Sequence, residues 1–189
     1  MPHLTLIGYR GSGKSALAAR LAERLGCRWV DADDRLEQEL GLSIASLIGS
    51  RGEPFFRDRE ADLLARLLTE EPGVLATGGG VVLRAGNRLL LRDRGRPVIW
   101  LTAPAAVLRG RLAADPATAS RRPPLKGGDP LDEVATALAE REPLYRETAD
   151  AVIDVSEDSP TTLAERIVVW LARRQAASDA PRSSPEMIP

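Results

Sequence analysis

The run Gly8-Tyr9-Arg10-Gly11-Ser12-Gly13-Lys14-Ser15 has the residue types and the eight-residue spacing of a phosphate-binding loop. Its glycines let the backbone bend until several N–H groups converge on phosphate oxygens, and the helix that begins there adds the partial positive charge of its N-terminus. Lys14 then reaches the β- and γ-phosphates of a nucleotide, and the Ser15 hydroxyl ligates Mg²⁺. The nucleotide-binding set at this loop is Gly11, Ser12, Gly13, Lys14, Ser15 and Ala16. A plain Gly/Ser turn is the alternative, and the presence of all four fixed positions in the right flanks argues against it.

Asp31 and Asp33 alternate along Asp31-Ala32-Asp33-Asp34. One is then placed for a metal ion, directly or through water, and the other for an acceptor hydroxyl. The competing reading is a helix cap, for which Asp33 or Asp34 is well placed. Gly78-Gly79-Gly80 leaves backbone N–H groups open to a ligand with no side chain in the way, unless it is simply a flexible turn. Arg57 follows Phe55 and Phe56, two aromatic residues expected to pack inward, a setting that fixes a guanidinium for two-point recognition of a carboxylate. Arg59 and Glu60 read as charges pairing on a helix surface. Arg141 lies between Glu140 and Glu142, and from spacing alone both it and Arg57 read as ordinary solvated charges.

These residues need a scaffold, and the hydrophobic pattern supplies one. Leu4 to Ile7 predicts a buried strand, and Leu17, Leu21 and Leu25 fall on one face of the helix that follows. Further strands are expected at Arg28 to Val30, Val74 to Thr77, Pro97 to Leu101 and Ala151 to Val155. Helices are expected after Asp34 up to Gly41, over Ser43 to Ile48, from Gly52-Glu53-Pro54 onward, and over 85–94, 104–113, 131–140 and 160–174. Alternation of this kind predicts an α/β fold, a five-stranded parallel sheet with helices on both faces. Ligands collect beyond the carboxyl ends of such strands, which gathers the phosphate loop, Asp31, Asp33 and the three glycines into one crevice. Residues 114–130, rich in Pro and Gly but carrying Arg121, Arg122 and Lys126, predict a lid or a disordered insertion. Residues 1–174 read as a single domain and 175–189 as a disordered tail without function.

The composition bounds the partners. A length of 189 residues, 43% of them hydrophobic, fits one domain with a sizeable core. With 26 basic against 27 acidic residues there is no electrostatic case for nucleic acid or an anionic membrane as the main partner. No apolar run approaches the span of a bilayer, and the first strand begins too early to leave room for a signal peptide, so a cytoplasmic protein is expected. A single cysteine, Cys27, and a single histidine, His3, exclude an internal disulfide and a zinc cluster and argue against histidine acid/base chemistry.

The phosphate loop, Asp31-x-Asp33, Gly52-Glu53-x-x-Phe56-Arg57, Gly78-Gly79-Gly80, the basic segment with Arg122-Pro123, and Arg141 followed by Pro143-Leu144-Tyr145 together resemble shikimate kinase, in that order and over residues 3 to 174. The resemblance implies a P-loop NTPase-type, nucleoside monophosphate kinase-like three-layer sandwich with a mobile lid. It implies a monomer that uses ATP and Mg²⁺ to phosphorylate the 3-hydroxyl of shikimate, on the way to chorismate and the aromatic amino acids. Carried onto this chain, the metal-associated groups fall on Ser15 and Asp31, and the aspartate at the acceptor hydroxyl on Asp33. The carboxylate-holding pair falls on Arg57 and Arg141, the substrate-side glycines on Gly78, Gly79 and Gly80, and the lid arginine on Arg122. The adenine-stacking arginine falls on Arg111, with Arg109 two residues away as the alternative. Catalysis would then rest on Lys14, Asp33 and Arg122. The competing readings are a same-fold kinase for gluconate or a nucleotide, and a nucleotide-binding protein without catalysis. The paired arginines favour an acidic acceptor, and the filled catalytic positions favour an enzyme.

Overall fold

Four consecutive buried residues, Leu4–Ile7, form the central strand β1, as a continuous apolar run must when helices cover both faces of its sheet. The computed structural model of the chain describes residues 4–70, 73–114, 133–176 and 185–189. After β1 come α1 (Lys14–Leu25), β2 (Trp29–Asp31), α2 (Ala32–Leu40), α3 (Ile44–Leu67), β3 (Val74–Ala76), a 3₁₀ turn (Val81–Leu83), α4 (Ala85–Arg94) and β4 (Val98–Thr102). Then follow α5 (Ala105–Ala114), α6 (Glu133–Thr148), β5 (Ala151–Asp154), α7 (Pro160–Ala176) and β6 (Glu186–Met187). The strand order is β2-β3-β1-β4-β5-β6, with every neighbouring pair parallel. From β1 the chain goes to the edge strand β2, returns to β3 between them, then crosses β1 to continue with β4, and this reversal opens a crevice at the carboxyl ends of β1 and β3.

Two cores form, one on each face of the sheet. Leu17 and Leu21 of α1, Leu108 and Leu112 of α5, and Ile167 of α7 fill one of them. Phe56, Leu63 and Leu64 of α3, Leu91 of α4 and Tyr145 of α6 fill the other. Arg96 and Asp150 pair at the opposite end of the sheet, where the Asp150 carboxylate also accepts from the Val98 N–H at 2.8 Å.

The expected elements are all found, with instructive differences. The break expected before Glu53 is a kink inside α3, where Gly52 has φ 83° and ψ 161°, outside helical space. Ser43 caps the first half by accepting from the Ser46 N–H at 3.1 Å. The helix expected to span 131–140 instead runs on to Thr148 through Pro143. Its last turns are anchored by Tyr145, fully buried and stacked on Trp100 with ring centroids 5.8 Å apart. The sheet has six strands rather than five, because Glu186 and Met187, placed by the sequence in a disordered tail, pair with β5. The free edge of β5 offers unpaired backbone groups, and Ile188 beside the new strand is buried in the core. The expected lid, with Arg121, Arg122 and Lys126, lies outside the described residues.

Close packing between the phosphate loop and the sheet makes a test of the fold. A Cβ at Gly8, whose φ is 147°, would lie 2.5 Å from the Leu101 carbonyl oxygen of β4. Gly8→Ala is therefore expected to cost about 1–3 kcal/mol of stability through overpacking and backbone strain, read from urea unfolding. An unchanged midpoint would mean that the loop moves off β4 freely.

Candidate active site

The phosphate loop leaves β1 and enters α1 through three glycines with positive φ, Gly8, Gly11 and Gly13, and no side chain caps the helix start. Gly13, Ser15 and Ala16 are exposed, so the first turn of α1 opens to solvent at the crevice, while Ser12 is buried. Lys14 folds back over the loop and donates to the Gly8 and Tyr9 carbonyls at 2.9 and 3.0 Å and to Ser12 Oγ at 3.4 Å. These contacts hold a buried ammonium group over the centre of the loop.

Asp31 does two jobs. Its Oδ1 accepts from the Asp33 N–H at 2.9 Å and the Asp34 N–H at 3.3 Å, making it the N-cap of α2, while its Oδ2 accepts from the Ser15 hydroxyl at 2.5 Å. The cap expected at Asp33 or Asp34 thus sits at Asp31, whose extended backbone (φ −93°, ψ 121°) aims its carboxylate at the following amides. Asp33 is released to point elsewhere. Its Oδ1 lies 2.7 Å from where a Cβ on Gly78 would stand.

Each of the three glycines is backed by a different functional side chain. Gly78 faces Asp33, and also Glu60, whose Oε1 would be 2.8 Å from a Cβ there. The Gly79 carbonyl accepts from Arg141 Nη1 at 3.2 Å and from the Tyr145 hydroxyl at 2.5 Å. A Cβ on Gly80 would fall 2.5 Å from Arg57 Nη2 and 2.6 Å from its Cζ. Gly79 also abuts the phosphate loop, where its Cβ would lie 3.1 Å from the Arg10 nitrogen. Arg57 and Arg141, which spacing alone reads as solvated charges, are both buried and converge on one loop.

The surroundings fix those two arginines. Arg57 Nη1 donates to Glu60 at 2.7 Å, its Nε and Nη2 donate to Glu53 at 3.2 and 3.0 Å, and its guanidinium lies 4.7 Å from the Phe56 ring centroid. Burial pulls its proton affinity down, but Glu60 and Glu53 outweigh it and hold the pKa above the ordinary arginine value. Arg141 stacks over Tyr9 of the phosphate loop at 5.4 Å. The Tyr145 hydroxyl is held neutral, because burial pushes its pKa up despite the opposing charge of Arg141. Sequence reasoning left Glu60 on a helix surface, whereas it is buried in the site; Arg59, pairing with Asp62, is the surface charge expected. Tyr9 carried no signal beyond its place inside the loop motif, and Tyr145 none beyond its place in Pro143-Leu144-Tyr145.

On the other flank, Arg111 donates through Nη2 to the Val155 carbonyl at 2.5 Å and the Ser156 carbonyl at 3.2 Å, tying α5 to the loop after β5. Arg109 is exposed. Arg122 lies outside the described residues. For a divalent cation the donor set suits a hard ion, with the Ser15 hydroxyl and Asp31 carboxylate adjacent at the open start of α1. No group of three or more acidic, histidine or cysteine side chains could hold a metal among the described residues, so such an ion would need phosphate oxygens to complete its shell. No helix among them is long and apolar enough to cross a membrane.

A family model described as shikimate kinase matches residues 10–172. The shikimate kinase of Oleidesulfovibrio alaskensis is 47% identical over 157 residues, covering 83% of this chain and 90% of the relative. That of Nitrobacter winogradskyi is 42% identical, covering 96% of this chain and 82% of the relative. Among solved structures, the shikimate kinase of Acinetobacter baumannii in complex with shikimate superposes with a TM-score of 0.86 at 33% identity, over 93% of this chain and 95% of that one. A gluconokinase from Sinorhizobium meliloti superposes at TM-score 0.56 and 17% identity, over 91% of this chain and 92% of that one, which is a likeness of fold alone.

The double engagement of Asp31 is testable without any ligand. Asp31→Ala is expected to lower stability by about 0.5–2 kcal/mol in urea unfolding, and Asp31→Asn, which still caps, by clearly less. Equal stability of all three proteins would remove the cap.

Proposed function

The chain belongs to the shikimate kinase family, and on that premise we propose that it moves the γ-phosphoryl group of ATP onto the 3-hydroxyl of shikimate, its crevice divided between donor and acceptor. The observation that carries this reading is the backing of three successive glycines by Asp33, Arg141 and Arg57, in contact with a phosphate loop. An acceptor lying on those glycines meets two buried cations suited to its carboxylate and one carboxylate suited to its hydroxyl.

Phosphoryl transfer through a loose transition state asks the protein for alignment and for neutralisation of spreading charge. The amides of Gly11, Ser12, Gly13, Lys14, Ser15 and Ala16 cradle the phosphates, and Lys14 turns from its carbonyl partners to the β- and γ-oxygens. Ser15 and Asp31 would hold Mg²⁺, directly or through water, an ion that supplies charge neutralisation between the phosphates. Asp33 orients the acceptor hydroxyl and accepts its proton late in the transfer. Arg57 and Arg141 hold the shikimate carboxylate. Arg111, its guanidinium fixed by the Val155 and Ser156 carbonyls, lies on the nucleoside side and stacks on adenine. Arg122, which lies outside the described residues, is assigned the remaining neutralisation of charge on the phosphates. Residues 1–174 together with the edge strand β6 act as one kinase domain, a monomer working in the cytoplasm.

Coupled release of ADP with shikimate, quinate and gluconate as parallel acceptors tests the assignment directly. Turnover with shikimate should dominate, and preferred turnover of gluconate would overturn the acceptor. Arg57→Lys keeps the charge but loses the planar fork, so the KM for shikimate should rise about ten- to a hundredfold while that for ATP holds. Asp33→Asn should lower kcat by about two orders of magnitude with most of the nucleotide affinity retained. A normal kcat in that variant would take Asp33 out of the reaction.

A further inference from the structure

Arg166, in the second turn of α7, ties together two segments distant in sequence. Its Nη1 donates to Asp158 and its Nε to the main-chain oxygen of Pro189, while its Nη2 donates to the Ile188 carbonyl at 3.0 Å. One turn later, Trp170 Nε1 donates to the Glu186 carboxylate at 3.1 Å. The helix therefore clamps β6 onto β5, and the same guanidinium holds the loop that leaves β5. An ion pair as exposed as Arg166 with Asp158 contributes little by itself. The rigid fork changes that, since one group satisfies the Asp158 carboxylate and two main-chain oxygens and so fixes the loop relative to the strand.

That loop, residues 155–159, is gripped from its other side by Arg111, and at its start Asp154 Oδ1 accepts from the Ser156 N–H at 2.7 Å. The helix carrying Arg111 packs on the phosphate loop, where a Cβ at Gly11 would lie 3.2 Å from Leu112 Cγ. Asp33, Arg57, Arg141 and the three glycines occupy the β2 and β3 side of that loop. The remaining side for a nucleoside attached to the phosphates is the one formed by α5 and residues 155–159.

We propose that Arg166 and strand β6 brace the 155–159 loop as a wall of the nucleoside pocket, with Arg166 a positioning residue for ATP. The inference rests on the crevice being an ATP site. A loop fixed before the ligand arrives spares binding the cost of ordering it, so releasing the brace weakens ATP and leaves the acceptor, held by other elements, unaffected.

Four variants of the full enzyme test this: Arg166→Ala, Arg166→Lys, Asp158→Ala, and a chain ending at Ser184. ATP affinity is measured by calorimetry without acceptor, KM for ATP and for shikimate by ADP release, and the thermal midpoint alongside. Arg166→Ala and the shortened chain should weaken ATP about three- to tenfold in both Kd and KM, with KM for shikimate within about twofold of wild type. Arg166→Lys, which keeps the charge but not the fork, should fall between. Asp158→Ala removes the acceptor and frees the loop while β6 stays pinned, so it should weaken ATP even if the shortened chain fails to fold. A fall in thermal midpoint with unchanged ATP affinity in Arg166→Ala and Asp158→Ala would overturn the proposal, as would equal rises in both KM values. If the wild type binds ATP but turns over no shikimate, the acceptor assignment fails while calorimetry still decides the brace. A wild type that does not bind ATP overturns both.

Discussion

The site depends on two backbone loops touching where the direction of chain-building reverses. Gly79 sits against the phosphate loop, its missing Cβ only 3.1 Å from the Arg10 nitrogen and 3.5 Å from the Gly8 carbonyl oxygen. Any side chain there would push the loop after β3 away from the loop after β1, and with it the acceptor away from the donor. In-line transfer tolerates little such error, because most of its acceleration comes from holding the reacting groups at near-contact distance. The parallel pairing of β1 with β3 and β4 is what brings these two strand ends side by side. Tyr9 adds a second link, offering its ring to Arg141 so that the phosphate loop itself orients one of the two buried arginines at the glycine loop.

Around that contact the charges are balanced locally. Arg57 is buried, which costs a cation dearly unless it is paired, and Glu60 and Glu53 supply the pairing through a fork of hydrogen bonds. Asp31 is spent on two amides and the Ser15 hydroxyl, which fixes the start of α2 and leaves Asp33 to face Gly78. An acidic pair separated by one residue is thereby split, by backbone conformation alone, into a helix cap and a carboxylate that faces the glycine loop.

What the sequence discloses and what it hides follow from the range of the forces involved. Leu4 to Ile7, the leucines of α1 and the break at Gly52 are legible because periodicity and glycine act within a turn or two of chain. The phosphate loop is legible for the same reason. Glu60 is not: three residues beyond Arg57, it has the same spacing as the exposed pair of Arg59 and Asp62, and only packing against the loop after β3 buries one and leaves the other in solvent. The continuation of α6 through Pro143 depends on Tyr145 meeting Trp100, a contact that no local pattern encodes. Strand β6 is two residues long and owes its existence to the open edge of β5 and to Arg166, both remote in sequence.

The two cores lie on opposite faces of the sheet, and each backs a different flank of the crevice. Leu17, Leu112 and Ile167 stand behind the phosphate loop and α5, while Phe56, Leu63 and Tyr145 stand behind Arg57 of α3 and Arg141 of α6. A sheet of close-packed backbone separates them, so a substitution that reshapes one core strains its own helices before it reaches the other. Such a molecule is one domain in space with two separately adjustable halves: a change in the core behind Arg57 and Arg141 can reshape that flank of the crevice while the phosphate loop, backed by the other core, stays unaltered.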